Sequence, residues 1–238
     1  MGYLDYYRYQ AIARGIETLE DIRRDADSKT YLYDRVVLPW LPEKKSSAMA
    51  EIACGHGSFL WWLKQRQYLN VIGVDSSAEQ IALARLTGAT VLEMELRKWL
   101  INQPDGSLDV IVGIDLIEHI SKDEFMDVLQ VCRRVLGADG HLILRYPNGD
   151  SPLVGRNLFN DITHVWTYTS NCLQSLASMH GFSRVRFIDE GDAAIRDSRW
   201  LKVPLCKLST VALRFLFRAA TKEKVRYWSP NIWACLGE

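Results

Sequence analysis

A short glycine-containing segment and a later aspartate have the residue types and spacing of a nucleotide-binding site. The segment EIACGHG, from Glu51 to Gly57, follows an apolar run of strand length. Its small residues let the chain turn tightly and bring backbone N–H groups against a ligand. Asp75 ends a second apolar run about twenty residues later, where a carboxylate can accept both hydroxyls of a ribose. The pair predicts a ligand that contains adenosine.

The glycine spacing excludes two familiar nucleotide sites. A dinucleotide fold requires G-x-G-x-x-G, but the third glycine position is Ser58 when counted from Ala53, and Leu60 when counted from Gly55. A phosphate-binding loop requires G-K-[ST] after its glycines, and no such sequence follows. The segment fits the pattern acidic-x-[GA]-x-G-x-G instead.

The elements that position these residues alternate between strand and helix patterns. The predicted strands are 48–54, 71–75, 90–95, 108–115, 141–146, 183–189 and 231–236, and the predicted helices are 59–67, 78–87, 123–136 and 169–180. This alternation implies parallel strands joined by right-handed crossovers, with helices on both sheet faces. We predict an α/β fold: a doubly wound, mostly parallel seven-stranded sheet with N-terminal helices and a late helical insertion.

The predicted elements divide the chain into three parts. We expect an N-terminal helical cap at 1–45, the ligand-binding α/β domain at 46–189, and a helical insertion with the final strand at 190–238.

Composition limits the partners and the compartment of the protein. The 29 basic and 29 acidic residues cancel, which argues against a general nucleic-acid binder. The 5 cysteines form no C-x-x-C pair, and the chain start lacks a secretory pattern. These features predict a cytoplasmic protein.

Five segments in this order resemble the class I S-adenosylmethionine-dependent methyltransferases. They are EIACGHG, GVD, Glu95, DVIVGIDLIEHI and LGADGHLILRYPN. Ala53 stands where the family more commonly has a glycine, and alanine keeps the side chain small. The resemblance covers roughly residues 49–189, and it implies a Rossmann-like methyltransferase fold with S-adenosyl-L-methionine as the cofactor.

The resemblance also implies a role for each cofactor-binding position. Glu51 would reach the methionine ammonium group, and the backbone around Ala53, Cys54, Gly55 and Gly57 would line the methionine and ribose. Asp75 would hold the ribose hydroxyls, Ser76 would lie near the adenine, Glu95 and the Leu96 N–H would meet the adenine edge, and Asp115 would lie beside the methionine. Two alternatives stay open: Asp75 can simply cap the next helix, and Glu95 can belong to a solvated ion pair.

Two of the histidines follow predicted strands at the sheet edge where a methyl acceptor would bind. His119 comes after the fourth strand and His164 after the fifth. A hydroxyl acceptor needs a nearby base, and imidazole titrates in the useful range. We predict His119, Asp161 and His164 as catalytic residues, with Asp161 orienting the His164 imidazole. Alternatively, Asp161 and His164 only hold the loop after the fifth strand.

A divalent metal is an open alternative to this base. The sequence DLIEH, from Asp115 to His119, resembles the metal-binding E-x-x-E-H of ubiquinone-pathway O-methyltransferases and small-RNA 2'-O-methyltransferases. That resemblance implies a metal-held acceptor hydroxyl, with His164 as a further ligand. The same turn also occurs in methyltransferases that need no metal, so we assign no metal ligands.

Short motifs after the fifth strand bear on the acceptor. RYPNGDSP, Gly155-Arg156 and Asp161-x-x-His164 resemble bacterial methyltransferases of polysaccharide and O-antigen assembly. This implies O-methylation of a sugar hydroxyl in cell-surface glycan biosynthesis. The bidentate guanidinium groups of Arg145 and Arg156 can bind a substrate phosphate or carboxylate, or either can instead form a surface ion pair. The alternatives are O-methylation of a quinone, phenol or polyketide, RNA 2'-O-methylation, a nucleotide-binding oxidoreductase and a non-catalytic adenosyl-binding protein.

The segment 196–228 is basic and aromatic. Its bases are Arg196, Arg199, Lys202, Lys207, Arg214, Arg218, Lys222, Lys224 and Arg226, against the acids Asp197 and Glu223. A basic amphipathic helix can lie on an anionic membrane, which predicts peripheral contact with the inner membrane surface. The same apolar face can instead cover the core or form the seam of a homodimer.

Overall fold

The structure is a computed structural model that describes residues 15–191 and 202–238. Within the helix at 202–221, side chains are described at 208 and from 211 onward. Residues 1–14 of the predicted cap lie outside the described residues. The same holds for residues 192–201, which include Arg196, Asp197 and Arg199 of the basic segment.

Helices and strands alternate along the described chain. The helices are α1 (Leu19–Val36), α2 (Ser58–Gln65), α3 (Ala78–Arg85), α4 (Leu96–Ile101), α5 (Lys122–Val135), α6 (Gly155–Phe159), α7 (Ser170–Met179) and α8 (Lys202–Thr221). The strands are β1 (Met49–Ile52), β2 (Val71–Asp75), β3 (Thr90–Glu93), β4 (Leu108–Ile114), β5 (Leu136–Pro147), β6 (Arg184–Asp189) and β7 (Asn231–Gly237). A short 3-10 turn at Leu38–Trp40 follows α1.

The strands form a seven-stranded sheet in the order β3-β2-β1-β4-β5-β7-β6. The neighbours among β1 to β5 pair in parallel, and β7 pairs antiparallel with both β5 and β6. This confirms the predicted mostly parallel, doubly wound α/β sheet. The strand order reverses at β1, which lies between β2 and β4, and in open α/β sheets ligands bind in the crevice at the carboxyl ends of the strands at such a reversal.

The two sheet faces bury separate apolar clusters, as helices on both sides require. Along β4, Ile111 belongs to the cluster under α4, α5 and α7, whereas Val110 and Val112 belong to the cluster under α1 and α2. Within the second cluster, Tyr33 of α1 lies 5.1 Å from the ring of Phe59. This aromatic packing fixes α1 against the sheet beside the glycine segment.

Two local features differ from the expectations. The segment Gly137–Gly140, which separates a predicted helix from a predicted strand, is the first part of β5, because Leu136 already pairs with Leu108. The short helix α4 begins directly after Glu95, where no helix was predicted, because the Glu95 carboxylate caps its first N–H groups. Neither change moves the carboxyl ends of β1, β2, β4 and β5.

Candidate functional site

The glycine segment leaves β1 through three residues in the left-handed backbone region. These are Ala53 (φ 56°), Gly55 (φ 52°) and Gly57 (φ 83°). A side chain on Gly57 would meet Ala84 of α3 at 3.1 Å, so this glycine permits close packing of α2 on α3. The left-handed φ strains Ala53 slightly, because its Cβ lies close to the following carbonyl oxygen. This strain explains why glycine is commoner at this position in the methyltransferases that the segment resembles. The buried Cys54 thiol faces the core beside Gly73, so Cys54 offers only its backbone to the crevice.

Glu51 is a buried carboxylate that lacks a partner for one of its oxygens. Its side chain is 3% exposed, and Oε2 has no hydrogen-bond partner among the described residues. Burial, followed by the nearby charge of Asp75, raises the pKa of Glu51 well above its ordinary value. A cationic ligand group would satisfy this oxygen, so the site fits the methionine ammonium group of the expected cofactor.

Asp75 holds the glycine segment as well as its own turn. Its Oδ2 accepts a 2.8 Å hydrogen bond from the Gly55 N–H, and its Oδ1 accepts a 2.9 Å bond from the Ser77 N–H. The cap of α3 is Ser77, whose hydroxyl accepts a hydrogen bond from the Gln80 N–H. The alternative in which Asp75 caps that helix is therefore wrong, and its carboxylate lies at the mouth of the crevice. Ser76, beside it, is exposed.

Glu95 is turned toward its own helix. Its two carboxylate oxygens accept hydrogen bonds of 2.6 Å from the Arg97 N–H and 2.7 Å from the Lys98 N–H. The carboxylate is thus a helix cap instead of half of a solvated ion pair. The half-buried Leu96 begins α4 at the same edge. If Glu95 contacts the adenine, it must do so with oxygens that already accept hydrogen bonds from the first turn of α4.

Asp115 forms an ion pair with the partly buried Arg145. It follows β4 with a left-handed φ of 52°, and its Oδ1 accepts a hydrogen bond from Arg145 Nη1. Glu190 binds the other side of the same guanidinium at 2.7 Å and 2.8 Å. Burial alone would lower the Arg145 pKa, but the two carboxylates together outweigh burial and raise the pKa above its ordinary value. These bonds use three of the five N–H donors of Arg145, so the structure shows this guanidinium as the shared partner of two carboxylates, and a contact with a substrate phosphate stays a prediction. Arg156 is exposed.

The two predicted histidines lie together beyond β4 and β5. Their ring centroids are 4.6 Å apart in an edge-on arrangement. His164 Nδ1 lies 2.8 Å from the Leu158 carbonyl oxygen, which can only accept, so Nδ1 donates and the neutral ring keeps its lone pair on Nε2. The Val165 N–H binds the Glu118 carbonyl oxygen at 2.7 Å, which joins the loop of His164 to the segment of His119.

Asp161 is linked to His119 through the hydroxyl of Thr163. Its Oδ1 accepts 2.9 Å and 2.6 Å hydrogen bonds from the N–H and hydroxyl of Thr163. Thr163 Oγ1 in turn lies 2.8 Å from His119 Nδ1. The hydrogen bonds described for Asp161 thus lead through Thr163 to His119, whereas the Leu158 carbonyl oxygen holds the His164 ring at Nδ1. The predicted orientation of His164 by Asp161 stays a prediction. Thr163 was missed by the sequence reasoning, although its position two residues after Asp161 is the spacing of a local side-chain turn.

Glu118 completes a cluster with both histidines. One side-chain ligand atom from each of Glu118, His119 and His164 lies within 4.8 Å of the others. Glu118 is 1% exposed, and its Oε2 has no hydrogen-bond partner among the described residues. Burial, followed by the charge of Asp115, raises the Glu118 pKa well above its ordinary value. A carboxylate and two imidazoles are a ligand set that divalent transition metals accept.

Helix α1 contacts the glycine segment through Asp25. Asp25 Oδ2 lies 3.1 Å from His56 Nε2 and 2.7 Å from Lys29 Nζ. Burial would raise the Asp25 pKa, but these hydrogen bonds hold it below its ordinary value. The adjoining Tyr33 is fully buried and its pKa is raised, mainly by that burial. The helix thus closes one side of the crevice.

Comparisons with known proteins agree with this geometry. Residues 49–140 match the family described as "Methyltransferase domain". No curated protein sequence matches the chain. Among solved structures, an S-adenosylmethionine-dependent methyltransferase from Archaeoglobus fulgidus is similar, with a TM-score of 0.69, 19% identity, and coverage of 90% of this chain and 94% of that one.

Two further solved structures have the same fold. One is an S-adenosylmethionine-dependent methyltransferase from Mesorhizobium loti, with a TM-score of 0.61, 15% identity, and coverage of 87% of this chain and 98% of that one. The other is phosphoethanolamine N-methyltransferase 2 from Haemonchus contortus, in complex with phosphomonomethylethanolamine and S-adenosylhomocysteine. Its TM-score is 0.58 and its identity 13%, and the alignment covers 92% of this chain and 57% of that one.

Proposed function

We propose that this protein is an S-adenosylmethionine-dependent methyltransferase, that it transfers the methyl group to a hydroxyl oxygen, and that the acceptor is a sugar of a cell-surface glycan. The observation that carries the proposal is the pair of imidazoles beyond β4 and β5, where an acceptor would meet the crevice. A neutral hydroxyl, unlike a free amine, needs a group that takes its proton. The motifs RYPNGDSP and Asp161-x-x-His164 support the sugar.

The cofactor-binding residues act by binding and orientation. S-adenosylmethionine, when bound, supplies a methyl group that its sulfonium already activates. In this proposal Glu51 binds the ammonium group with its unpartnered oxygen, and Asp75 binds the ribose hydroxyls while it holds the Gly55 N–H. Asp115 lies beside the methionine portion, and Arg145 fixes its side chain. Precise alignment of donor and acceptor is the main contribution a protein can make to such a transfer.

His164 is the proposed proton acceptor. The Leu158 carbonyl fixes Nδ1 as the protonated nitrogen, so Nε2 is available to take the proton of the acceptor hydroxyl. His119 lies edge-on to the same ring and is positioned through Thr163 and Asp161. A well-placed base of this kind contributes about 10²- to 10⁴-fold to the rate.

A second candidate is metal-assisted O-methylation of a small quinone, phenol or polyketide. The buried, unpartnered Glu118 Oε2 favours it, because a cation would remove the cost of that orphaned oxygen. Glu118, His119 and His164 would hold the ion, which would lower the pKa of an acceptor hydroxyl. Both imidazoles already have Nδ1 engaged, as metal-binding histidines commonly do.

One experiment separates these possibilities. Methyl transfer from labelled S-adenosylmethionine is measured against nucleotide-linked sugars, phenols and amines, in metal-free buffer and again with Mg²⁺, Mn²⁺ or Zn²⁺. The proposal predicts transfer to a sugar hydroxyl without metal, and a His164→Ala variant that loses turnover but keeps its affinity for S-adenosylhomocysteine. His180→Ala is the control, because that ring bonds its own helix at Leu176. Transfer only to amines, or a fully active His164→Ala variant, would overturn the proposal.

A further inference from the structure

Helix α8 exposes large apolar side chains along most of its described length. Leu208, Val211, Leu213, Phe215 and Leu216 are each 52–71% exposed. Its described contacts run through Phe217, whose ring lies 5.5 Å from that of Trp228, and Arg214, whose guanidinium lies 5.8 Å from the same ring. The helix is thus held to the body by one side, and its other sides present apolar groups outward.

A second exposed apolar group lies on the loop that carries His164. Its members are Leu153, Phe159, Ile162, Val165 and Trp166, which are 46–82% exposed. Together the two groups hold 10 of the 15 large apolar side chains found exposed among the described residues, so exposure is concentrated in two segments. Ser151, at the start of this loop, donates a 2.6 Å hydrogen bond to the Trp228 carbonyl oxygen. The same tryptophan therefore anchors both segments.

The charged residues of α8 and of the segment that follows it are almost all positive. Residues 202–226 contain seven bases, namely Lys202, Lys207, Arg214, Arg218, Lys222, Lys224 and Arg226, and the single acid Glu223, in a chain whose net charge is zero. A symmetric pairing of two copies through α8 would bring these like charges together. An anionic lipid surface instead neutralises them while it takes up the apolar side chains.

We propose that α8 docks the protein on an anionic phospholipid surface, with the apolar loop of His164 facing the same surface. The proposed lipid-facing residues are Leu208, Val211, Phe215 and Leu216 of the helix, and Phe159 and Ile162 of the loop. In the described residues no helix is long and apolar enough to cross a membrane, so α8 lies along the surface. Docking places the acceptor site next to the lipid headgroups. It does not depend on the identity of the acceptor.

Vesicle sedimentation of the full chain tests the docking without any activity measurement. The chain is expected to sediment with vesicles that contain phosphatidylglycerol but not with pure phosphatidylcholine vesicles, and added salt should release it. Phe215→Ser should weaken vesicle binding about tenfold or more, because it removes a large apolar group from the lipid interface. Arg218→Glu should weaken it about fivefold or more, through lost attraction to anionic lipid.

The matched control is Leu69→Ser, which alters an apolar side chain that is 68% exposed in the turn before β2. This variant should sediment like the wild type, and unchanged thermal unfolding of every variant confirms that each is folded. Three outcomes would overturn the proposal. They are no binding to either kind of vesicle, equal binding by Phe215→Ser and wild type, or light scattering that shows a dimer which Phe215→Ser converts to a monomer.

Discussion

The backbone N–H of Gly55 donates a 2.8 Å hydrogen bond to the Oδ2 atom of Asp75, twenty residues later in the chain. This bond joins the left-handed turn after β1 to the end of β2. One carboxylate therefore shapes the loop and faces the position expected for the ribose. In the proposed function the same carboxylate would hold the loop and bind the ribose, so cofactor binding should depend sharply on Asp75.

Asp75→Asn should weaken S-adenosylhomocysteine binding about tenfold or more, because hydrogen bonds to a charged group contribute about 1.5–3 kcal/mol. Titration calorimetry measures the change. Asp109→Asn is the matched control: Asp109 also accepts a 2.8 Å hydrogen bond from a backbone N–H, that of Ala48 just before β1, but at the opposite end of the sheet. Equal weakening by both substitutions would mean that loss of a backbone contact, and not ribose binding, explains the effect.

Glu51 should make cofactor affinity depend on pH. Its pKa is raised above the ordinary carboxyl value, so the carboxylate that would pair with the ammonium group becomes more populated as the pH rises above the ordinary carboxyl range. We expect S-adenosylhomocysteine to bind more tightly with rising pH in the wild type, whereas Glu51→Gln binds more weakly at pH 8 with a flatter profile. A Glu51→Gln variant with wild-type affinity at pH 8 contradicts this role.

The same raised pKa of Glu51 affects stability in the absence of ligand. The folded protein holds the Glu51 proton more tightly than the unfolded chain does, so this contribution is present at low pH and is lost as the pH rises through the folded pKa. Glu51→Gln should therefore raise the melting temperature relative to the wild type more at pH 8 than at pH 5. Scanning calorimetry at both values checks the sign, and an equal shift at both would refute it.

Arg145→Met should destabilise the protein, because it leaves Asp115 and Glu190 close together without their shared cation. The Asp115 side chain is 48% exposed and the other two are 16% exposed, so the cost should lie between those of exposed and buried pairs, at about 2–3 kcal/mol, or a fall in melting temperature of about 5–10 °C. Arg97→Met is the control, since its pair with Asp127 is exposed and should contribute little. A stable Arg145→Met variant with only a raised acceptor KM would instead favour a substrate role for Arg145.

Thr163→Val should lower kcat about tenfold with little change in S-adenosylhomocysteine affinity, because it removes the hydroxyl between Asp161 and His119 at nearly constant side-chain volume. Thr163→Ser keeps the hydroxyl and should restore most of the activity. Steady-state kinetics with both variants make the measurement. If the valine and serine variants were equally impaired, the packing of the methyl group would matter and the hydroxyl would not.

Residue patterns predicted most of the fold and the sheet edge at which the candidate site residues lie. Strand-length apolar runs and the spacing from Glu51 to Asp75 reflect local rules, so the sheet and the crevice followed from them. The partners of Arg145, His119 and His164 did not follow, because they depend on contacts between residues 6 to 45 positions apart whose side-chain directions the pattern does not specify. A carbonyl such as that of Leu158 leaves no signal in residue type.

The most direct test of the central claim is a calorimetric titration of the wild-type protein with S-adenosylhomocysteine, with NAD as the comparison ligand. The glycine segment, the unpartnered Glu51 oxygen and the Asp75 carboxylate predict a saturable isotherm for S-adenosylhomocysteine and no heat beyond dilution for NAD. Heats for S-adenosylhomocysteine no larger than those for NAD would contradict the assignment of this crevice as a methyl-donor site.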